Sequence, residues 1–425
     1  MKNRCLFTLK NLVALLLIIS FNSEGSAMFQ QIPGTSFTEY KGKVVNSRNQ
    51  EPLSAVYLAV ENSNISTVTN SDGEFSLKVP KQNEDVNVLV SHLGFRSQRL
   101  PLSFFARGNV VIELQESLEE LEEVAILTYT DPVALVKNML ENRGSNYFTE
   151  PTTMTGFYRE AIKRGRKNVS LSEAVVKIHK ESYTSNADDR ISLVKARKTA
   201  DYDRLDTLAL KLRGGPYNPL SIDIMKNPTY IFNQQDLSNF RFSFDNPTRN
   251  GDRYLYVVNF EELERDLPWY YGKLYIDAES FTLVKASFNL NVDNRKAATD
   301  LFVKKKPGGT KVYPIEVNYD ISYRERDGRW YFGYGHTELE FVVNWKRRLF
   351  NSRYKVDSEL AVTNWQTVNE EISRRDENFI NRRIIMNDDV SGFADLSFWG
   401  ENNIIEPDES IESAIDKIRN KLENN

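Results

Sequence analysis

EVNYDISYRERDGRWYFGYGHTELEFVVNW, Glu316 to Trp345, alternates apolar and polar side chains on either side of a sharp turn. Val317, Tyr319, Ile321 and Tyr323 fall on one side of an extended chain, with Glu316, Asn318, Asp320 and Ser322 on the other. That is the period of a half-buried β-strand. Asp327-Gly328 follows, a two-residue hairpin signal because both positions tolerate positive φ. The chain returns through Trp330, Tyr331, Phe332 and Tyr334, and Leu339, Phe341, Val343 and Trp345 continue the alternation. Gly333 and Gly335 predict a bend. A lone hairpin is marginal in water, so these strands need a sheet around them.

Outward from this hairpin, the same alternation recurs at Thr155 to Ala161, Ser170 to Ile178, Tyr254 to Phe260, Lys273 to Asp277 and Phe281 to Leu290. Asn250-Gly251 and Pro307-Gly308-Gly309 mark further turns. Between Met154 and Trp365 the pattern predicts about ten strands, largely in up-and-down order, and a sheet of that width must curl. A transmembrane barrel is the competing β reading. Lys285, Glu338 and Glu340 within strands argue against it, as does an amphipathic helical ending through Ile411, Ala414, Ile415, Ile418 and Leu422, with Glu409 early and Lys421 late.

Towards the N-terminus the strands become shorter. Gly42 to Val45, the alternating sets Val56, Leu58, Val60; Phe75, Leu77, Val79; Val86, Val88, Val90; and Val110, Ile112, Leu114 are separated by Glu51-Pro52, Ser71-Asp72-Gly73 and Leu93-Gly94. About seven strands in some 75 residues predict a two-sheet sandwich. Phe75 is the largest candidate for its core. The phrases Gly42-Lys43-Val44-Val45, Glu51 to Val56, Thr69 to Leu77 and Val90 to Phe95 resemble the carboxypeptidase-regulatory-like domain. That resemblance implies a transthyretin-like sandwich serving as a non-catalytic binding or spacer module, common in bacterial envelope proteins including TonB-dependent receptors. Asp72 reads as a turn residue rather than a calcium ligand, since alternating acids are missing around it.

The predicted fold is therefore mainly β: an N-terminal seven-stranded sandwich over residues 40–115, a linker over 116–130, and a larger curled antiparallel sheet, a half-barrel with a few covering helices, over 131–425. Asp131-Pro132 predicts a capped helix carrying Val133, Val136 and Leu140 and ending at Gly144. Gly272 to Asp277 leading into Phe281 to Lys285 resembles the periplasmic lipoprotein-carrier fold, which implies an incomplete barrel holding acyl chains. Gly156 to Glu160, Phe398-Trp399-Gly400 and Ile404 to Pro407 resemble an uncharacterised envelope family, which implies no established activity.

The chain has 425 residues and a formal charge of −4. Residues 1–27 place Lys2, Arg4 and Lys10 before the apolar run Leu12 to Phe21 and the small residues Gly25-Ser26-Ala27, the layout of a secretory signal peptide. Removing them leaves 52 basic against 58 acidic groups and no cysteine, because Cys5 is the only one. An acidic balance argues against nucleic acid as a partner. Disulfides and thiolate chemistry are excluded from the mature chain.

No catalytic motif is found: there is no metal-ligand pattern, no G-x-S-x-G elbow and no phosphate-binding loop. His92, His179 and His336 read as structural residues. Asp188-Asp189 and Asp201, Asp203 and Asp206 read as polar loops, and Lys304-Lys305-Lys306 as a hairpin tip. No catalytic residue, cofactor or metal is expected. The candidate ligand-binding residues are the clustered rings Tyr319, Trp330, Phe332, Tyr334, Phe341 and Trp345, expected to line an apolar groove. These features predict a non-enzymatic protein exported to the periplasm or outer membrane, with an adaptor sandwich and a sheet that holds a lipid or other apolar ligand. Alternatives are an assembly partner of an outer-membrane complex and a hydrolase. The sequence leaves the oligomeric state open.

Overall fold

The computed structural model describes residues 37–81, 86–117, 129–165, 167–200, 214–232, 237–263, 268–302, 309–346, 351–367, 379–384, 398–409, 411–413 and 415. The signal segment, Asp201, Asp203, Asp206, Lys304 to Lys306, most of the acidic linker, and Ala414, Ile418, Lys421 and Leu422 of the predicted last helix lie outside them.

Seven strands build the sandwich: β1 (Phe37–Asn46), β2 (Tyr57–Val60), β3 (Ser66–Val68), β4 (Glu74–Pro80), β5 (Asn87–Ser91), β6 (Gln98–Pro101) and β7 (Val110–Leu114). One sheet runs β4-β1-β7 and the other β3-β2-β5-β6. Val44, Val56, Leu58, Phe75, Leu77, Val88, Ile112 and Leu114 bury the alternate faces between them, and Phe105 of the short α1 (Leu102–Phe105) closes one end. Phe75 is 1% exposed, as its place in the alternation predicts. Gly73 at φ +76 completes the Asp72-Gly73 turn, where an added Cβ would lie 2.5 Å from the Val44 carbonyl oxygen.

Ten strands form the large sheet: β8 (Thr152–Arg164), β9 (Lys167–Lys180), β10 (Arg190–Ala200), β11 (Phe240–Asn250), β12 (Arg253–Glu262), β13 (Tyr270–Asp277), β14 (Leu283–Leu290), β15 (Thr310–Arg326), β16 (Arg329–Trp345) and β17 (Ser352–Thr367). Their order is β10-β9-β8-β17-β16-β15-β14-β13-β12-β11. Every neighbouring pair is antiparallel. The run β11 to β17 is a simple meander, and the β8–β9–β10 meander joins it where β8 pairs with β17. The sheet is curled and not closed, because β10 and β11 remain its two edges. Asp327 at φ +53 and Gly328 at φ +75 make the tight β15–β16 turn in the left-handed region.

The inner face of this sheet carries the main core. Helix α2 (Pro132–Glu141) packs Leu135, Val136, Met139 and Leu140 onto it, and its N-cap Asp131 accepts a hydrogen bond from the Val133 amide. Val133 points to solvent at 42% exposure, because it sits in the first turn away from the buried stripe. Gly144 does not end α2, which stops at Glu141; Gly144 lies inside the next helix, α3 (Arg143–Asn146). Residues 214–232, including α4 (Tyr217–Ser221), add Leu220, Ile222, Ile224, Met225 and Phe232 to the same core. An ion pair locks this segment down: Lys180, 1% exposed, places Nζ 2.5 Å from Asp189 and 2.8 Å from Asp223. Asp189 is thus a buried structural ion rather than the polar loop residue the sequence suggests.

The sandwich sits on the outer face of the sheet. Ser66 Oγ donates to the Val362 carbonyl at 3.1 Å, and Asn64 Nδ2 to that of Trp365 at 2.6 Å. Val68, Phe157, Val175, Ala361, Trp399, Ile404 and Ile405 fill the seam. At the far end, the Gly94 amide donates to the Arg249 carbonyl at 2.9 Å beside the β11–β12 turn.

Candidate polar cleft

Between these two attachment points the sandwich and the sheet leave a cleft of about 610 Å³. Its walls are sandwich loops at Pro52 to Ala55, Thr69 to Ser71 and Ser91 to Leu93, and its floor is the outer face of β8, β14, β15, β16 and β17. Strand geometry explains the floor. Side chains two apart on a strand share a face, so His336 and Glu338 line up on β16 as Asp357 and Glu359 do on β17. Register then places opposite charges side by side, as in the row Arg159, Glu359, His336, Asp320 across four strands.

The shortest ionic contacts run diagonally between neighbouring rows. His336 Nε2 lies 2.6 Å from Asp357 Oδ1, and Lys355 Nζ lies 2.5 Å from Glu338 Oε2. Burial alone lowers the affinity of His336 for its proton, but the hydrogen bond and charge of Asp357, with Glu359 and Asp320, push its pKa up to about 9. Burial holds the Glu359 carboxyl above the usual range despite Arg159, whose NH1 is 3.4 Å from it. Tyr334 donates to the other Glu359 oxygen at 3.1 Å. Beneath the cleft, Glu173 accepts from Arg159 Nε at 2.8 Å and from Arg197 Nε at 2.6 Å.

His92 also lines the cleft, and its pKa is pushed down to about 4 by burial, then by Lys285 and Arg324. It is a neutral hydrogen-bonding group at neutral pH. His179 is buried against the Phe379 ring, 5.3 Å between centroids, away from the cleft. Asp72 accepts from the Glu409 amide at 2.9 Å, so this turn residue holds the C-terminal segment.

His336, Glu338 and Asp357 present ligand atoms within 4.8 Å of one another, a set with the donor types for a divalent cation. The Lys355 ammonium lies against two of the three, at 2.5 and 3.8 Å, and already supplies positive charge there. The spacing His-x-Glu on one strand is the only sequence trace of this set; its third member depends on β17 pairing with β16.

The six rings named from the sequence do not line one groove. Tyr319, Trp330, Phe332 and Phe341 are buried in the main core, and Trp345 packs against it. Phe288 stacks on Tyr319 with centroids 5.0 Å apart. Tyr334 alone reaches the cleft. The cause is a bulge: Ser322 pairs with Tyr334 and Tyr323 with Phe332, so Gly333 is an extra residue and the strand changes face there. The inner side carries the protein's own core, and the strands on the floor of the cleft contribute mostly charged residues to it.

Residues 40–126 match the family model described as CarboxypepD_reg-like domain. Among the curated proteins there is no match. Solved structures similar to the chain include a lipoprotein-sorting protein domain of the outer membrane, assigned as putative, from Vibrio parahaemolyticus, at 10% identity and TM-score 0.24, covering 56% of this chain and 94% of that one. A LolA-superfamily protein from Nitrosomonas europaea is similar at 9% identity and TM-score 0.23, with 57% and 96% covered. A lipovitellin structure described for its lipid–protein interactions is similar at 7% identity and TM-score 0.27, covering 53% of this chain and 26% of that one.

Proposed function

We propose that this chain is a non-catalytic binding protein exported to the cell envelope, and that its ligand occupies the cleft between the sandwich and the large sheet. The observation that carries the reading is the cleft itself: two separated attachments hold the sandwich off the sheet and keep about 610 Å³ open above a charged floor. A module bonded at both ends does not swing, so the gap is preformed, and a preformed site loses little entropy on binding. The sandwich is then one wall of the site as well as an adaptor. A lipid or other apolar ligand enters this reading with its polar end in the cleft, since the ring-bearing inner side is packed.

Hydrolysis is a second reading, favoured by the His336–Asp357 contact. A general base must be unprotonated at the working pH, and an imidazole with a pKa of about 9 is largely charged at pH 7. Binding is the better fit. Native mass spectrometry of the protein purified from envelope fractions is expected to reveal a bound molecule of a few hundred daltons that denaturation releases. Ser322→Trp, which projects an indole into the cleft, should abolish it while leaving the melting temperature within a few degrees. An adduct retained in that variant, or none in the wild type, overturns the reading.

A further inference from the structure

Arg159, His336 and Lys355 each lie against a carboxylate on the cleft floor. Arg324, at the sandwich end, does not. Its stem crosses Gly333, where an added Cβ would stand 2.4 Å from Arg324 Cγ, so the bulge on β16 is what makes room for it. Its guanidinium carbon sits 3.7 Å from the ring centroid of Tyr57 on β2. The Nε–H is buried and has no hydrogen-bond partner, and no described acid pairs with the group. Burial lowers its pKa, opposed by the phenols of Tyr57 and Tyr331 alone.

Arg324 as a whole is half-buried, but its Nε–H is shut away without a partner, which is costly, since polar groups are rarely buried unpaired. Stacking on Tyr57 fixes its plane while the residue lines the cleft, and a guanidinium held in this way can bind an oxyanion through two parallel hydrogen bonds. Lys285 and the neutral His92 line the same end, with Ser91, Ser322 and Asn250. Lys285 is held only loosely, 3.8 Å from Asp320. This set offers more donors than a carboxylate accepts and suits the several oxygens of a phosphate. We propose that Arg324, with Lys285 and His92, forms a subsite for the phosphate group of a phosphate-bearing ligand; the assignment rests on the cleft being the binding site.

The test uses the full mature chain with three probes: inorganic phosphate, glycerol 3-phosphate and dihexanoyl phosphatidic acid. Calorimetric titration and thermal melts are run on the wild type, Arg324→Met, Arg324→Lys and Ser322→Trp. At least one probe should bind the wild type and raise its melting point. Arg324→Met should weaken that binding at least tenfold, yet melt at or above the ligand-free wild type, because a half-buried charge with no described acid beside it is gone. A purely structural arginine would lower the melt and leave affinity unchanged. Arg324→Lys keeps the charge and loses the fork, so it should fold and bind between the two; if Arg324→Met fails to fold, the lysine variant decides. Binding of all three probes points to a soluble phosphate, and binding of the phosphatidic acid alone to a lipid headgroup. Wild-type affinity in both Arg324 variants, with uptake blocked by Ser322→Trp, overturns the subsite and leaves the cleft standing. No binding of any probe to the wild type overturns the phosphate assignment, and an envelope-derived adduct would then still support the cleft.

Discussion

At the scale of single residues, two buried carboxylates have opposite surroundings, one beside a phenol and the other between two guanidiniums. Glu160 lies on the inner face of β8 with Tyr158 as its hydrogen-bond donor at 3.0 Å, and burial pushes its pKa up to about 7. The fold thus favours its protonated form. Its stabilising contribution is complete below the unfolded value near 4.5 and is lost as pH rises through about 7. Glu160→Gln, which imitates the protonated acid, should change stability little at pH 5 and raise it at pH 8 by on the order of 3 kcal/mol. Denaturant titrations at the two pH values check the crossover; a Gln variant equally stable relative to wild type at both would show that Glu160 titrates normally. Glu173 is the contrasting case, a fully buried acid gripped between two guanidiniums. Removing it takes from both cations their shortest carboxylate contact and leaves Arg159 only the longer one to Glu359, so Glu173→Ala should cost about 3–5 kcal/mol. Urea unfolding with an unchanged slope is the readout, and replacing Arg159 and Arg197 by Met in the same chain should recover part of the loss.

Among the elements, close approach of backbones makes the sharpest demands. Gly42 on β1 faces β7, and a Cβ there would stand 2.4 Å from the Val110 carbonyl oxygen and 2.8 Å from the Phe75 ring. Gly42→Ala should therefore push β1 from β7 and cost roughly 1–3 kcal/mol, seen as a lower melting point with accelerated amide exchange along β7. Elements with strong alternation were legible from the sequence: the β15–β16 hairpin, its Asp327-Gly328 turn, the apolar strands of the sandwich and the capped α2. Strands that tertiary pairing dictates were not. In β11 Pro247 breaks the pattern set by Phe240, Phe242 and Phe244, and the structure accommodates it at a register shift on an edge strand, the place where a missing N–H is tolerated. Both β10 and β17 alternate, but with so many charged side chains that the period is masked. The cleft was hidden for the same reason. His336 and Glu338 show their common face in sequence, whereas Asp357, Arg159 and Arg324 join them only through pairings across as many as 200 residues, and Tyr334 changes face at a bulge that periodicity alone does not locate.

For the molecule as a whole, the decisive feature is that the sandwich and the large sheet, each with its own core, share an apolar seam. From Phe37 onward the described residues pack as one unit. Trp399, 3% exposed, stands in the seam with its ring 5.4 Å from that of Phe157, and Arg197 lies over its face at 4.9 Å. The Lys78 amide donates to Asn403 Oδ1 at 2.7 Å, and Asn403 Nδ2 returns a bond to the Lys78 carbonyl at 3.1 Å, so residues 398–408 clamp the sandwich edge to the sheet. If the sandwich were an independent spacer, calorimetry would resolve two transitions, and a seam mutation would leave both near their original temperatures. A shared seam instead couples them: on separation each body would lose the apolar face it buries on the other, so unfolding should proceed in one cooperative step. Trp399→Ala should then lower that single transition by an amount equivalent to about 3–5 kcal/mol. The same variant loosens the sandwich against the floor of the cleft, so any ligand held between them should dissociate faster. A melt that splits into two well-separated transitions in the wild type would show the sandwich to be a tethered module, and the preformed cleft would lose its physical basis.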